Sequence, residues 1–259
     1  MTALAPNAIP AMSPGRLLGA YLSDARYESL RLLRTPAFSI PILAMPLLFY
    51  TVIGVLLNSG GHRPPGFADA MFVGWTVYGV MGPGLFGFGI LVAVERNQGL
   101  LTFKRALPMP AGSYLAAKLA MAYVFAIVVM AMLVTAGLTL GHVTLNPARL
   151  FTVAAVMSLG VIPACAIGLF IGAWAPASSA SALANIAYLG MAFLSGLFFP
   201  LSGFLHDVRS IWPTYHLVQL ARAAAGMPSE GSMAAHAGVL VAISAGLLLL
   251  ASRRLARRG

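Results

Sequence analysis

The stretch MFVGWTVYGVMGPGLFGFGILVAV, residues 71–94, runs for 24 residues without a charged side chain. An α-helix rises about 1.5 Å per residue, so about 20 apolar residues cross the roughly 30 Å hydrocarbon core of a bilayer. This stretch is long enough to do so. The composition extends that reading to the whole chain of 259 residues, which is 59% hydrophobic and 8% charged. Soluble globular domains have roughly 45–50% and 25%, so an ordinary soluble protein is excluded. Six spans would use about 120 residues, leaving room for short loops and one or two amphipathic elements but no separate soluble domain.

The expected fold is therefore an all-α integral membrane protein in one transmembrane domain, residues 1–259, with spans at residues 36–57, 71–94, 114–140, 148–173, 182–201 and 234–251. Thr35 offers an N-cap oxygen and Pro36 suits a first helical position, so the first span can begin there. Pro41 and Pro46 should bend it rather than break it. Gly82, Pro83 and Gly84 mark a kink or a close-packing site in the second span. The pairs Gly137/Gly141 and Gly168/Gly172 have GxxxG spacing that could bring helices close. Asn185, a polar group inside the fifth span, could bond across a dimer or within its own bundle. A single cysteine, Cys165, excludes an intrachain disulfide framework and any cysteine-rich metal centre.

Residues 1–15 read as a loose tail because their prolines argue against a helix. Residues 16–35, RLLGAYLSDARYESLRLLRT, follow as an amphipathic helix. At helical spacing Leu18, Leu22, Ala25, Leu32 and Leu33 share one arc, and Arg16, Asp24, Tyr27, Arg31 and Arg34 share the opposite one. Such a helix suits the membrane interface, where apolar stems sink while charges stay wet.

The net charge of +10 comes from Lys and Arg scattered at the edges of apolar runs. Anionic lipid and topology account for them, and nucleic acid is not an expected partner. With the N-terminus inside, twelve Lys and Arg fall on the cytoplasmic side and four, Arg63, Arg149, Arg209 and Arg222, on the outer side. That asymmetry places both termini in the cytoplasm and requires an even number of spans.

The six acidic residues, Asp24, Glu28, Asp69, Glu95, Asp207 and Glu230, all fall at the expected interfaces or in loops. Ion-coupled pumps and intramembrane enzymes place ionisable groups inside the bilayer, so both classes are disfavoured. No GxxxxGK[ST] loop, HExxH or CxxC occurs, and catalytic and metal sites are expected to be absent. Energy for uphill transport would then come from another chain. The most polar internal stretch, ERNQGLLTFKRALPMPAGS, supplies the place to receive it. Gly99 allows a tight bend; Leu100, Leu101, Phe103 and Leu107 form an apolar face; Glu95, Arg96, Lys104 and Arg105 could pair with a partner's charges before Pro108 ends the helix. A basic loop that only sets topology fits the same residues. Near the C-terminus, Asp207 and Arg209 read as headgroup-level charges, and Trp212, Tyr215 and His216 as interfacial anchors.

The amphipathic helix, the ERNQGLLTFKRALPMP segment and LSGLFFPLSGFLHDVRSIWPTYHLVQLARAAAG, taken in order, resemble the permease subunits of ABC exporters of the second, six-span class. The resemblance covers about residues 17–249. The family's Glu, Gly and closing Pro of the cytoplasmic segment correspond to Glu95, Gly99 and Pro108; where the family often has Thr after that Gly, this chain has Leu100. Its late signature corresponds to Gly196, Pro200, Pro213, Tyr215 and Arg222.

The resemblance implies a permease dimer, of identical copies or paralogues, with ATP-binding subunits docked on its cytoplasmic face. ATP and magnesium would belong to those subunits, and this chain would hold no cofactor. Residues 99–107 would form the coupling helix, residues 16–35 would lie along the inner interface, and residues 202–233 would form a re-entrant helical hairpin. The implied activity is export of a drug, lipid or glycan across a plasma membrane. The composition alone equally admits a membrane anchor that moves nothing; a secondary carrier is the disfavoured further alternative.

Overall fold

The computed structural model describes residues 13–57, 64–106, 110, 112–198 and 201–258, and all regular structure among them is helical. In chain order the helices are α1 (Pro14–Leu33), α2 (Pro36–Phe49), α3 (Phe67–Asn97), α4 (Leu100–Ala106), α5 (Ser113–Thr139), α6 (Pro147–Trp174), α7 (Ala177–Leu194), α8 (Phe204–Val208), α9 (Pro213–Ala224) and α10 (Met233–Arg258). A π-helical turn, Tyr50–Leu56, continues α2, and a 3-10 turn, Arg209–Ile211, follows α8. Among the described residues six helices are long and apolar enough to cross a membrane: α2 with its π turn, α3, α5, α6, α7 and α10. The expectations for Leu107, Pro108, Pro200, the first twelve residues and the side chains of Lys104 and Arg105 lie outside what is described.

Several boundaries differ from the sequence reading. α1 starts at Pro14 rather than at residue 16, because proline is well placed in a first helical turn, where its missing N–H has no partner to lose. The fifth span ends at Leu194, short of residue 201, where Ser195 and then Gly196 at φ +72° close the helix. The sixth runs past residue 251 to Arg258, with Leu255 buried and keeping the final turn packed. α2 passes through Pro41 and Pro46 and then widens into the π turn, with Leu57 N–H donating to Val52 O at 2.9 Å. Two missing N–H groups upstream make that relaxation of the ladder understandable.

α3 is the central element, with both its faces covered by α5, α6 and α7. In a bilayer, lipid tails are as apolar as leucine, so helices associate through close packing and small residues. The α3–α6 pair shows this. An alanine Cβ at Gly168 would lie 2.6 Å from Leu85 O, and one at Gly84 would lie 2.9 Å from Cys165 N. The Gly168/Gly172 spacing is thus a backbone-to-backbone contact inside one chain. At Gly137 the neighbour is the Phe72 ring, 3.0 Å from the missing Cβ.

Aromatic rings fill the distal half of the bundle, opposite the end that carries both termini. Tyr78 and Tyr188 stack at 4.3 Å, and Tyr188 Oη donates to Tyr78 O at 2.8 Å, one turn before Pro83 loosens α3. Trp75 and Phe198 lie 4.2 Å apart. At the same end Asp69 accepts from Thr144 N at 2.8 Å and Thr144 Oγ1 at 2.7 Å, tying the start of α3 to the α5–α6 turn. Asn146 then caps α6 through Arg149 N at 2.9 Å.

Candidate functional site

The site begins with α1. Its inward face carries Glu28, Ser29 and Leu32. Leu32 joins Ile42, Met121 and Phe125 in a small core, while Leu18 and Leu22 are exposed, as are Arg16 and Arg34. The arc of leucines therefore does not all turn to one surface: Leu32 packs on the bundle and Leu18 and Leu22 face outward. Glu28 enters the protein because a partner waits there.

That partner is Lys118, in the second turn of α5 and 0% exposed. Its Nζ lies 2.8 Å from Glu28 Oε1 and 3.1 Å from the Glu95 carboxylate on α3. Arg31 adds bonds of 3.0 Å to Glu28 and to Glu95, and Tyr114 Oη donates to Glu95 Oε2 at 2.6 Å. Burial works against the Arg31 charge, but its hydrogen bond to Glu95 and the two carboxylates outweigh it and hold the guanidinium above its ordinary pKa. Two acids and two bases from three helices thus neutralise one another at the membrane edge.

This geometry corrects two expectations. Glu95 does not present a charge to a partner; the residue is 6% exposed and its carboxylate is bonded to Arg31, Tyr114 and Lys118. Arg96 is also occupied, donating to the carbonyls of Ala173 and Ala175 at the end of α6, where a cation favours the helix C-terminus. The spans are likewise less free of ionisable groups than the sequence suggested, since Lys118, Glu95 and Asp69 lie within apolar helices and are buried. In the sequence Lys118 counts only toward topology; the one sequence feature that bears on the cluster is that a lysine inside an apolar run needs a counter-ion, and which acids supply it is set by the fold.

Directly after Glu95 and Arg96 the chain turns. Gly99 has φ +73°, a left-handed conformation that glycine adopts without steric cost. The turn launches α4, in which Leu101 is buried in the main core, while Leu100 and Phe103 are exposed, Phe103 at 62%. Lys104 and Arg105 sit on the same short helix. The sequence had grouped Leu100, Leu101 and Phe103 on one apolar face; the structure divides them, with Leu101 anchoring the helix and Phe103 free. α4 thus begins at Leu100, soon after Glu95, a member of the ion cluster, and is held to the bundle by Leu101.

At the other end the late segment folds back on the bundle. Arg209 is ion-paired with Glu230, whose carboxylate also accepts from Tyr215 Oη at 3.2 Å. Asp207 remains exposed beside His206. Pro213 and Tyr215 are buried at the start of α9, and Arg222 is half-buried in its last turn. Thr152 Oγ1 donates to Ala224 O at 2.8 Å and fastens the end of α9 to α6. Asn185 is exposed and donates to Ser181 O on its own helix at 2.9 Å. Among the described residues no three His, Cys, Asp or Glu converge as metal ligands.

Six apolar helices, a short helix that follows a charge cluster and a folded-back late segment describe a multi-pass membrane protein. Sequence comparison identifies which one: the ABC-2 type transporter family matches residues 21–225, and the chain belongs to that family. It is similar to "Putative transport permease YvfS" of Bacillus subtilis (strain 168), with 27% identity over 192 residues, covering 73% of this chain and 78% of that protein. The chain is thus a transmembrane transporter component of the permease type rather than an enzyme in its own right.

Proposed function

We propose that this chain is the permease subunit of an ATP-binding-cassette exporter, working with a separate ATPase subunit that binds ATP and magnesium. α4 is the coupling helix. The observation that carries the reading is Phe103, an aromatic ring left exposed on a helix whose neighbour Leu101 is buried and whose root is the Glu28–Lys118–Glu95 cluster. An exposed aromatic beside basic residues is what a groove in a soluble partner can grip. Force applied to α4 passes through Gly99 to α3, and through Glu95 and Lys118 to α1 and α5 together, so three helices move as a block.

In this reading a second permease copy or a paralogue completes the translocation path, and the cargo is an amphiphilic or hydrophobic molecule such as a drug, lipid or glycan. The chain lies in the plasma membrane with both termini cytoplasmic, consistent with the Arg-rich ends of α1 and α10. α1 rests in the inner interface with Leu18 and Leu22 toward lipid.

The test is a mild-detergent pull-down of the tagged chain, with mass spectrometry and an ATPase assay of the eluate. A stoichiometric ATPase subunit whose turnover drops on Phe103→Glu is the expected outcome. A chain recovered alone and without ATPase activity would return the protein to the anchor or secondary-carrier class.

A further inference from the structure

His216 on α9 and His236 on α10 meet with their Nδ1 atoms 2.8 Å apart. Each ring is also held from behind: His216 Nε2 lies 2.8 Å from Ser210 O, and His236 Nε2 lies 2.6 Å from Glu230 O. A carbonyl oxygen can only accept, so both Nε2 atoms carry a proton and donate. Two neutral rings in that state would aim two Nδ1 lone pairs at each other. A hydrogen bond at 2.8 Å requires a third proton between them, and the rings, 7% and 5% exposed, leave little room for water to intervene.

We propose that His216 and His236 share one proton as a singly charged pair, and that this proton latches the late helix α9 to the last membrane helix. A metal ion in its place would hold the two nitrogens further apart than a hydrogen bond does and would need further ligands, which the described residues do not gather.

The surrounding charges do not substitute for the proton. Arg209 and Glu230 pair with each other, and Tyr215, bonded to Glu230, sets its ring edge-on to both imidazoles at 5.3 and 5.7 Å. His206 and Asp207 on α8 pair outside. From the helices packed behind α9, Asp69 is bonded to Thr144, Tyr188 to Tyr78, and Arg149 lies against Gly226 at the far end of α9.

Burial lowers the His216 pKa below the ordinary histidine value; the Ser210 carbonyl works against this and the neighbouring His236 adds to it. Burial opposes any charge at the site, the shared proton included, and the two carbonyls that accept from the Nε2–H groups offset it. On the acid side the contact is lost once a second proton enters, because two charged imidazoles at hydrogen-bond distance repel each other. On the alkaline side, losing the shared proton opposes the lone pairs and loosens the same contact. The latch is tightest between these two steps, which belong to the pair and not to either ring.

The test is nitrogen NMR of the full chain, labelled with ¹⁵N-histidine in nanodiscs of neutral lipid, across about pH 5 to 9. His216→Gln and His236→Gln assign the signals. The expected result is three N–H protons over the two rings near neutrality, two titration steps flanking that state, and replacement of the two steps by a single one in either variant. Two Nδ1 atoms that stay unprotonated throughout, or signals that move only when Zn²⁺ is added, would overturn the proposal. Should a variant fail to fold, the proton count in the unmodified chain still decides.

Discussion

Lys118 on α5 lies 2.8 Å from Glu28 on α1, and the lysine is completely buried. A charge so placed is tolerable only while it is compensated. Replacing Lys118 by Met leaves Glu28 and Glu95 buried with Arg31 as their remaining cation, a loss of about 3–5 kcal/mol by the usual cost of breaking a buried pair from one side. The melting midpoint of Lys118→Met in detergent should fall well below that of the unmodified chain, and adding Glu95→Gln should recover much of the loss. A single variant as stable as the parent would mean that water reaches the cluster.

The α3–α6 contact predicts a sharp difference between glycines. At Gly168 a Cβ meets backbone, 2.6 Å from Leu85 O and 2.8 Å from Gly84 O, and backbone cannot swing aside. Gly168→Ala should force the helices apart at a cost of about 1–3 kcal/mol. Gly190 on α7 has nothing within 4 Å of its missing Cβ, so Gly190→Ala should leave the melting midpoint unchanged or slightly raised. Equal effects at the two positions would contradict the packing described.

These contrasts show what was legible beforehand. The spans were readable because 24 uncharged residues in a row have one physical explanation, and α4 because Gly99 and a change of polarity bracket it. Lys118 was not readable as a structural charge, since counting it toward topology explains its position equally well until Glu28 and Glu95 are seen on either side of it. The division between Leu101, buried, and Phe103, exposed, is a fact of tertiary packing that a seven-residue helix is too short to signal by periodicity. His216 and His236 come from different helices, twenty residues apart, and only the fold brings them together.

Asp69 offers a test at the distal end. It is buried and takes two hydrogen bonds from Thr144, one from the backbone. Asp69→Ala removes both bonds; Thr144 is exposed, so water can take over its N–H and hydroxyl, and the loss is that of two net hydrogen bonds to a carboxylate, about 1–3 kcal/mol together. Thr144→Val removes only the hydroxyl bond and keeps the backbone one, so its melting midpoint should drop less. A larger loss in Thr144→Val than in Asp69→Ala would show that the backbone bond contributes little.

Phe103 and Phe151 separate partner binding from lipid contact. Both rings are exposed, at 62% and 75%, but Phe103 projects from α4 at the termini-bearing end, whereas Phe151 lies in the second turn of α6 at the opposite end. If α4 seats in an ATPase groove, truncating its aromatic anchor removes an interaction of the size that dominates interfaces, above about 1.4 kcal/mol. Phe103→Ala should then weaken capture of the ATPase subunit by tenfold or more, measured by titrating purified ATPase onto the permease in nanodiscs. Phe151→Ala should leave capture unchanged. Neither substitution opens a cavity in the core, so both variants should insert and melt like the parent. Loss of capture in Phe151→Ala, or its retention in Phe103→Ala, would move the docking surface away from α4.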